Sequence, residues 1–180
     1  MSASAPPPVK GHGLLEGKTV LVTAAAGTGI GFATAKRCAE EGARVMISDI
    51  HERRLGEAVA ALREATGQDV PSRLCNVRDD AQVRELIAGA IDELGNIDVL
   101  FNNAGLGGTT PVVEMTDEQW DSVLDITLTG TFRMTRAVLP HMIERRAGVV
   151  VNNASVLAWR AQRGQAHYAA AKAGVMALTR

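Results

Sequence analysis

The sequence lacks the features that would direct it to a membrane or a nucleic acid. Its first residues contain no apolar stretch long enough for a signal peptide or a membrane span. Nineteen Lys and Arg balance 20 Asp and Glu, so the net charge of −1 gives no attraction to nucleic acid or to an anionic membrane surface. We therefore predict small-molecule partners, with no nucleic acid and no membrane.

Cysteine is scarce. The only two, Cys38 and Cys75, form neither a CxxC pair nor a pattern with histidine. We interpret them as buried, reduced thiols of a cytoplasmic protein. The four histidines show no ligand spacing among themselves or with the cysteines, so no metal site is predicted.

Aromatic residues are also few: two Trp, one Tyr and three Phe among 180 residues. The core must then be built from Ala, Val, Leu and Ile, which suits helices packed on a parallel sheet. The length supports one domain with a sizeable core. Residues 1–16 are rich in Pro, Ser, Ala and Gly and are predicted to be a disordered leader, so the domain spans 17–180.

From Lys18 onward, short apolar runs alternate with segments of helical spacing. The predicted strands are Thr19–Thr23, Arg44–Ser48, Ser72–Cys75, Ile97–Phe101 and Gly148–Asn152. The predicted helices are Ile30–Glu41, Glu52–Thr66, Asp79–Leu94, one long helix over Asp117–Arg145, and a last helix from about Gln165. This alternation predicts an α/β fold: a Rossmann-type, doubly wound parallel sheet in a single domain.

A glycine-rich turn follows the first strand and opens the first helix. A diphosphate needs backbone N–H groups and close backbone approach, which glycines at a helix N-terminus provide. Taken alone, the pattern is as compatible with a tight strand-to-helix turn. The candidate cofactor contacts here are Gly27, Thr28, Gly29, Ile30 and Gly31.

An acidic residue ends the second strand. Asp49 can accept hydrogen bonds from the ribose 2′- and 3′-hydroxyls and would repel a 2′-phosphate, so we predict NAD rather than NADP, with Ile50 beside it. Asn76 and Val77 follow the third strand, where an adenine would lie. The Asn76 side chain could pair with the adenine or serve as a turn residue, and the two interpretations have equal weight.

The only tyrosine, Tyr168, has Lys172 four residues later, on the same face of a helix. An ammonium group beside a phenol favours the phenolate, which can act as a base. The pair alone would still be read as an ordinary solvated helix. Ser155 follows the fifth strand, where it could hydrogen-bond a substrate oxygen. No G-x-S-x-G elbow surrounds Ser155, and His167 is interpreted as structural or pocket-lining.

Taken in order, these motifs resemble the short-chain dehydrogenase/reductase family, and the resemblance covers residues 17–180. The elements that carry it are Gly27, Gly29 and Gly31, then Asp49, then Asn102-Asn103-Ala104-Gly105, then Ser155, and finally Tyr168-Ala169-Ala170-Ala171-Lys172. Each motif is weak alone, but their joint order and spacing are specific.

The resemblance implies an oxidoreductase that moves a hydride between NAD(H) and a secondary alcohol or ketone. Tyr168 would be the general acid/base, Lys172 would favour its phenolate and hold the nicotinamide ribose, and Ser155 would orient the substrate oxygen. The segment after the fourth strand would stabilise the sheet edge and touch the cofactor through Asn103, Ala104 and Gly105. Tyr168 and Lys172 would contact the cofactor as well.

The sequence departs from the family pattern at two places. The glycine-rich turn is one residue longer, and Ala24 follows Thr23 where the family has glycine, so Gly27 is expected to take over that glycine's conformation. Thr127 stands where the family commonly has an asparagine that supports a proton-relay water. A threonine hydroxyl both donates and accepts, so Thr127 joins the catalytic candidates, although the sequence leaves open whether the relay survives.

The family implies more chain than the five predicted strands provide. We expect the last strand or strands and the substrate lid to be missing, roughly 60–80 residues, and the full-length form to be a homodimer or homotetramer. The substrate pocket is expected over Leu106–Thr110 and Val156–Gln162, with an apolar face. The alternatives are a catalytically inactive dinucleotide-binding fragment of such an enzyme and a plain α/β domain without cofactor.

Overall fold

The computed structural model of the chain describes residues 10–160 and 162–180. The described residues contain five strands: β1 Thr19–Thr23, β2 Arg44–Asp49, β3 Ser72–Leu74, β4 Val99–Asn102 and β5 Val149–Asn152. They contain six α-helices: α1 Ile30–Glu40, α2 Glu52–Thr66, α3 Asp80–Leu94, α4 Asp117–Leu124, α5 Gly130–Arg145 and α6 Ala166–Leu178. Short 3-10 helices cover Val112–Glu114 and Val156–Ala158.

All paired strands are parallel, in the order β3-β2-β1-β4-β5. Leu21 of β1 lies opposite Met46 on one side and Leu100 on the other. The strand order reverses direction at β1, and the ligand crevice of such a sheet lies beyond the carboxyl ends of the strands at that point. The predicted Rossmann-type fold is confirmed.

The sheet is covered on both faces, as a buried parallel sheet requires. Alternation along β1 sends Val20 and Val22 to the face packed by α1 and α2, and Leu21 to the face packed by α3 and α5. All five residues of β1 are buried. The strand that carries the glycine-rich turn therefore lies in the core, with a paired strand on each side.

The helix predicted over 117–145 has the expected ends, but it is not a regular α-helix throughout. A π-helical turn over Asp125–Thr129 separates α4 from α5. Within it, the Thr127 carbonyl oxygen accepts a hydrogen bond from the Thr131 hydroxyl (2.8 Å). A π-helical turn holds one residue more than an α-helical turn. The residues of this stretch are all compatible with an α-helix, so their apolar spacing did not reveal the extra residue.

The predicted leader lies partly outside the described residues, since residues 1–9 are not among them. The Glu41 carboxylate, at the end of α1, accepts hydrogen bonds from the backbone N–H of His12 (2.7 Å) and Leu14 (3.2 Å). The Leu15 N–H donates to the Glu41 carbonyl oxygen (2.9 Å). The described end of the leader is thus attached to the helix that follows the glycine-rich turn.

Two kinds of feature are absent from the described part of the chain. None of its helices has the length and apolar character needed to cross a membrane. No group of three or more His, Cys, Asp or Glu in residues 10–160 and 162–180 is arranged to hold a metal ion.

Candidate active site at the carboxyl end of the sheet

The glycine-rich turn leaves β1 through a residue in the left-handed region. Ala24 has φ of 50°, which is unusual for a residue with a Cβ, and Gly27 has φ of 97°. Two hydrogen bonds flank the Ala24 conformation: Asn103 Nδ2 donates to the Ala24 carbonyl oxygen (2.9 Å), and the Ala25 N–H donates to the Ser48 carbonyl oxygen (3.1 Å). Ala24 thus has a positive φ at the position of the family's glycine, so Gly27 does not take over that glycine's conformation but adds a second positive φ to the longer turn.

The turn leads into α1, and no side chain caps the first backbone N–H groups of this helix. Gly29 is the N-cap, and Thr28, Gly29 and Ile30 are exposed. A Cβ at Gly29 would meet nothing within 4 Å, whereas a Cβ at Gly31 would lie 2.6 Å from both Ala24 O and Asn103 Nδ2. Gly29 therefore has open space beside it for a ligand, whereas the close packing around Gly31 leaves no room for a side chain.

Asp49 fixes this turn from the end of β2. Its carboxylate is 7% exposed and accepts hydrogen bonds from the backbone N–H of Ala26 (3.1 Å) and of His51 (3.0 Å). Asp49, predicted to bind the ribose, thus also holds the turn, and the sequence carries no signal for this contact. Two fixed N–H donors leave the carboxylate with further acceptor capacity, directed at the cavity beside it.

That cavity has a volume of about 260 Å³ at the carboxyl ends of β1, β2 and β4. Its lining consists of Ala24, Ser48, Asp49, Ile50, His51, Arg54, Cys75, Asn76, Val77, Ala104, Gly105, Leu106 and Ile126. The structure thus brings six predicted cofactor residues together: Asp49, Ile50, Asn76, Val77, Ala104 and Gly105. The side-chain oxygen of Asn76 accepts a hydrogen bond from the backbone N–H of Arg78 (3.1 Å), as expected of a turn residue.

Lys172 lies buried beside the ring of Tyr168. Its ammonium is 5.6 Å from the ring centroid and donates a hydrogen bond to the Asn153 carbonyl oxygen (2.5 Å). Lys172 is only 3% exposed, and this desolvation lowers its pKa. A buried cation with one main-chain acceptor and a ring face beside it can stabilise a developing negative charge.

Glycines let the loop after β4 pack closely against residues of α6. A Cβ at Gly105 would lie 3.5 Å from Lys172 Nζ, and one at Gly107 would lie 4.0 Å from Tyr168 Cδ2. A Cβ at Gly108 would lie 2.9 Å from His167 Nε2, too close for a side chain there. Gly105 therefore borders both the cofactor cavity and the Tyr168–Lys172 pair.

His167 is 2% exposed, and its Nδ1 has no hydrogen-bond partner among the described residues. It lines a second cavity of about 420 Å³ between the loop after β4 and α4, which agrees with a pocket-lining role. The other lining residues of this cavity are Leu106, Gly107, Gly108, Thr110, Glu118, Gln119, Ser122 and Val123.

Ser155 begins the 3-10 helix that packs on α6. Its hydroxyl oxygen accepts a hydrogen bond from the Leu157 N–H (3.2 Å), so the hydroxyl hydrogen is available to a ligand. Val156 and Trp159 follow it with large exposed side chains. Of the segment 156–162 that was expected to line the substrate pocket, Ala161 lies outside the described residues.

Thr127 is fully buried under the loop after β4. Its hydroxyl accepts from the Leu106 N–H (3.0 Å) and donates to the Leu106 carbonyl oxygen (3.2 Å). A hydroxyl has one hydrogen, and Thr127 donates it to the Leu106 carbonyl oxygen. Thr127 thus clamps the loop that borders both cavities, and toward a relay water it has acceptor capacity alone.

Two pairs of asparagines join β4 to β5. Asn102 Nδ2 donates to Asn152 Oδ1 (2.9 Å), and Asn153 Nδ2 donates to Asn103 Oδ1 (2.9 Å). Asn103 is held in turn by Thr23, whose hydroxyl oxygen accepts the Asn103 N–H (2.9 Å). Asn153 was not among the predicted site residues. Two consecutive asparagines at the ends of neighbouring strands were the signal that could have found it.

Comparison with known proteins gives one consistent result. A family model described as short chain dehydrogenase matches residues 18–180. A curated relative from Mycobacterium tuberculosis is 60% identical over 177 residues, which are 98% of this chain and 68% of that protein. It is a (5R,7aS)-5-hydroxy-7a-methyl-1-oxo-2,3,5,6,7,7a-hexahydro-1H-indene-carboxyl-CoA reductase. A 3-oxoacyl-(acyl-carrier-protein) reductase from Thermotoga maritima is 42% identical over 166 residues, 92% of this chain and 67% of that protein.

Solved structures agree. A short chain dehydrogenase from Mycobacterium smegmatis superposes with a TM-score of 0.93 at 58% identity, over 98% of this chain and 74% of that one. Two further structures contain a cofactor. An actinorhodin polyketide ketoreductase with NADPH has a TM-score of 0.87 at 38% identity, over 90% of this chain and 62% of that one. An NAD+-bound xylitol dehydrogenase has a TM-score of 0.88 at 36% identity, over 92% and 64%.

Proposed function

The chain belongs to the short-chain dehydrogenase family, and on that premise we propose that it transfers a hydride between NAD(H) and a secondary alcohol or ketone. One observation carries the proposal. The cavity beside Asp49 and the Tyr168–Lys172 pair, in which Lys172 is buried, meet at Gly105, which lines the cavity and where a Cβ would lie 3.5 Å from Lys172 Nζ. A cofactor that enters the cavity would bring its reactive end to the phenol.

The residues divide the proton chemistry among themselves, while the nicotinamide, when bound, supplies or accepts the hydride. In the direction of ketone reduction, the Tyr168 hydroxyl gives its proton to the substrate oxygen. Ser155 donates a hydrogen bond to the same oxygen and orients it. The Lys172 cation stabilises the phenolate that Tyr168 becomes and holds the ribose hydroxyls. Alcohol oxidation uses the same groups in reverse, with the Tyr168 phenolate as base.

We propose NAD as the cofactor on the placement of Asp49. Relatives of known structure hold NADPH in one case and NAD+ in another, so the family leaves the choice to local residues. Two backbone N–H groups fix the buried Asp49 carboxylate, which therefore cannot turn away from a 2′-phosphate. Arg54 lines the same cavity but belongs to the exposed face of α2, where its charge is solvated.

For the substrate we propose a ketone on an apolar, fused-ring acid carried as a CoA thioester. The support is the 60% identity to a reductase whose name describes such a compound. The exposed apolar side chains of Val156 and Trp159, directly after Ser155, suit a hydrocarbon ring. The full-length form is proposed to be a cytoplasmic homodimer or homotetramer.

The test combines binding with turnover. The chain is titrated with NADH and with NADPH, following nicotinamide fluorescence, and is then assayed with ring ketones. We expect NADH to bind at least about tenfold more tightly, equal to about 1.4 kcal/mol, and Asp49→Ser to abolish the preference. Tyr168→Phe should keep NADH binding and reduce kcat by about 10³-fold.

Each part of the proposal has its own contradicting result. Tighter NADPH binding would refute the cofactor assignment. Full activity of Tyr168→Phe would refute the acid/base assignment. NADH binding without turnover of any alcohol or ketone would favour the alternative, a non-catalytic dinucleotide-binding protein.

A further inference from the structure

We propose that Asn153 is a positioning residue that sets the place of the Lys172 ammonium and joins it to the glycine-rich turn. The inference rests on the proposed function, in which Lys172 holds the nicotinamide ribose and stabilises the Tyr168 phenolate. None of the motifs that predicted the site includes Asn153, which is the first residue after β5 and lies two positions before Ser155.

The first link is the main chain of Asn153. Its carbonyl oxygen accepts the hydrogen bond from Lys172 Nζ at 2.5 Å. A hydrogen bond from a charged donor is about twice as strong as one between neutral groups. The cation is buried, so losing this acceptor would leave it with little solvation. The orientation of the Asn153 peptide therefore decides where the ammonium lies.

The second link is the side chain of the same residue. Asn153 Nδ2 donates to Asn103 Oδ1 (2.9 Å), while the Asn153 N–H donates to the Asn102 carbonyl oxygen (2.9 Å). Strand pairing in the sheet ends at the opposed residues Asn102 and Asn152. The Asn153 carbonyl group lies just beyond the last strand pair and accepts from Lys172, and the side-chain bond to Asn103 restrains Asn153 in addition to the main-chain bond to Asn102.

The third link reaches the turn. Asn103 Nδ2 donates to the carbonyl oxygen of Ala24, the residue with φ of 50°. A continuous path of hydrogen bonds thus runs from Ala24 through Asn103 and Asn153 to Lys172. Its two ends would contact two adjacent parts of one cofactor: the turn would bind the diphosphate, and the lysine would bind the nicotinamide ribose. The path sets the distance between these two contacts.

The neighbouring asparagine pair supplies a matched control. Asn102 and Asn152 make the same kind of bond at the same distance, 2.9 Å, one residue earlier in each strand. Successive side chains of a strand point to opposite faces, so this pair faces away from the Asn103–Asn153 pair. Asn152 Nδ2 continues to the Thr179 hydroxyl (3.0 Å) and makes no bond to Lys172 among the described residues.

The experiment compares Asn153→Leu with Asn152→Leu. Three quantities are measured for each: thermal unfolding, the Kd of NADH, and the pH dependence of kcat/KM for alcohol oxidation. Both variants should lose similar stability. Asn153→Leu alone should raise the NADH Kd about tenfold and move the acid limb of the profile up by about one pH unit, because a displaced cation favours the phenolate less.

Two further variants exclude simpler explanations. Asn153→Ser, whose side chain is too short to reach Asn103, should give the same shifts if the leucine variant folds poorly. On an Asn103→Leu background the bridge is already broken, so adding Asn153→Leu should shift the profile no further.

An Asn153→Leu profile and NADH Kd equal to those of Asn152→Leu would overturn the inference. If the unsubstituted chain bound NADH without turnover, the proposed function would fail, and the NADH Kd of the two variants would still decide the positioning role. A chain that binds no NADH would refute both.

Discussion

The two ends of the sheet use polar residues in different ways. At the amino end, Asp98 accepts hydrogen bonds from the Thr19 N–H (3.1 Å), the Thr19 hydroxyl (3.2 Å) and Arg145 (2.8 Å). At the carboxyl end, Ser155 has an available hydroxyl hydrogen, and the first N–H groups of α1 have no side-chain cap. The amino end is a closed network, whereas the carboxyl end keeps bonding capacity for a ligand.

The comparison separates stability from function within one sheet. A polar group whose bonds are all made inside the chain contributes to folding, and its removal leaves partners unsatisfied. A polar group with spare capacity contributes little to folding and can act on a ligand. Substitutions at the amino end should therefore reduce stability, and those at the carboxyl end should reduce activity.

Among the substitutions that contrast the two ends of the sheet, the largest effect is expected at the carboxyl end, from Ser155→Ala. The substrate oxygen would lose a hydrogen-bond donor, so kcat should fall about 100-fold, equal to about 2.7 kcal/mol. Urea unfolding should change by less than about 0.5 kcal/mol. Steady-state kinetics and unfolding of the same preparation make the measurement. A large loss of stability with normal kcat per folded molecule would reverse the assignment.

Asp98→Ala at the amino end should show the opposite profile. Arg145 would keep only the Ile97 carbonyl oxygen as acceptor, and the Thr19 N–H would lose the Asp98 carboxylate, which should cost about 1 to 3 kcal/mol of unfolding free energy. Below the unfolding transition, kcat per folded molecule should be unchanged. A drop in kcat that is not explained by unfolded protein would mean that the amino end also shapes the site.

Two glycines of the glycine-rich turn allow effects on stability and on ligand binding to be separated within the carboxyl end. Gly31→Ala would push a Cβ into Ala24 O and Asn103 Nδ2 and should destabilise the chain by about 1 to 3 kcal/mol. Gly29→Ala meets open space and an extended backbone, so stability should hold while the NADH Kd rises about tenfold. The pair is measured by urea unfolding and fluorescence titration. Equal NADH affinity of Gly29→Ala and the unsubstituted chain would place the diphosphate elsewhere.

The smallest effect is a pH dependence confined to acid. Burial acts to raise the pKa of Asp98, but hydrogen bonds from Arg145 and Thr19 outweigh it and hold the pKa below its ordinary value. A carboxyl with a lowered folded-state pKa stabilises the fold above its unfolded value of about 3.9, and that contribution is lost as the pH falls through the folded value. The difference in unfolding free energy between the unsubstituted chain and Asp98→Asn should be constant at neutral pH and shrink below about pH 4. A difference that is flat down to pH 3 would show that the ionised carboxylate does not matter.

The sequence predicted which residues form the site better than it predicted the hydrogen bonds between them. The β-strands, the glycine-rich turn and the spacing of Tyr168 and Lys172 are local patterns, and they predicted the fold and the ligand edge of the sheet. The hydrogen bonds of Thr127 and Asn153 join segments more than 15 residues apart and leave no periodic trace. The π-helical turn was missed because the residues over Asp125–Thr129 are all compatible with a regular α-helix.

The sequence by itself determined the alternation of strands and helices, because apolar spacing reports which face of an element is buried. It also determined the chemical inventory of the site, since Asp49, Ser155, Tyr168 and Lys172 stand at the ends of predicted elements. Only the tertiary structure decided which groups share hydrogen bonds: that Asp49 holds the turn and that Lys172 rests on the Asn153 carbonyl. The physical reason is that burial is a property of one segment, whereas a hydrogen bond between distant residues depends on how several segments pack together.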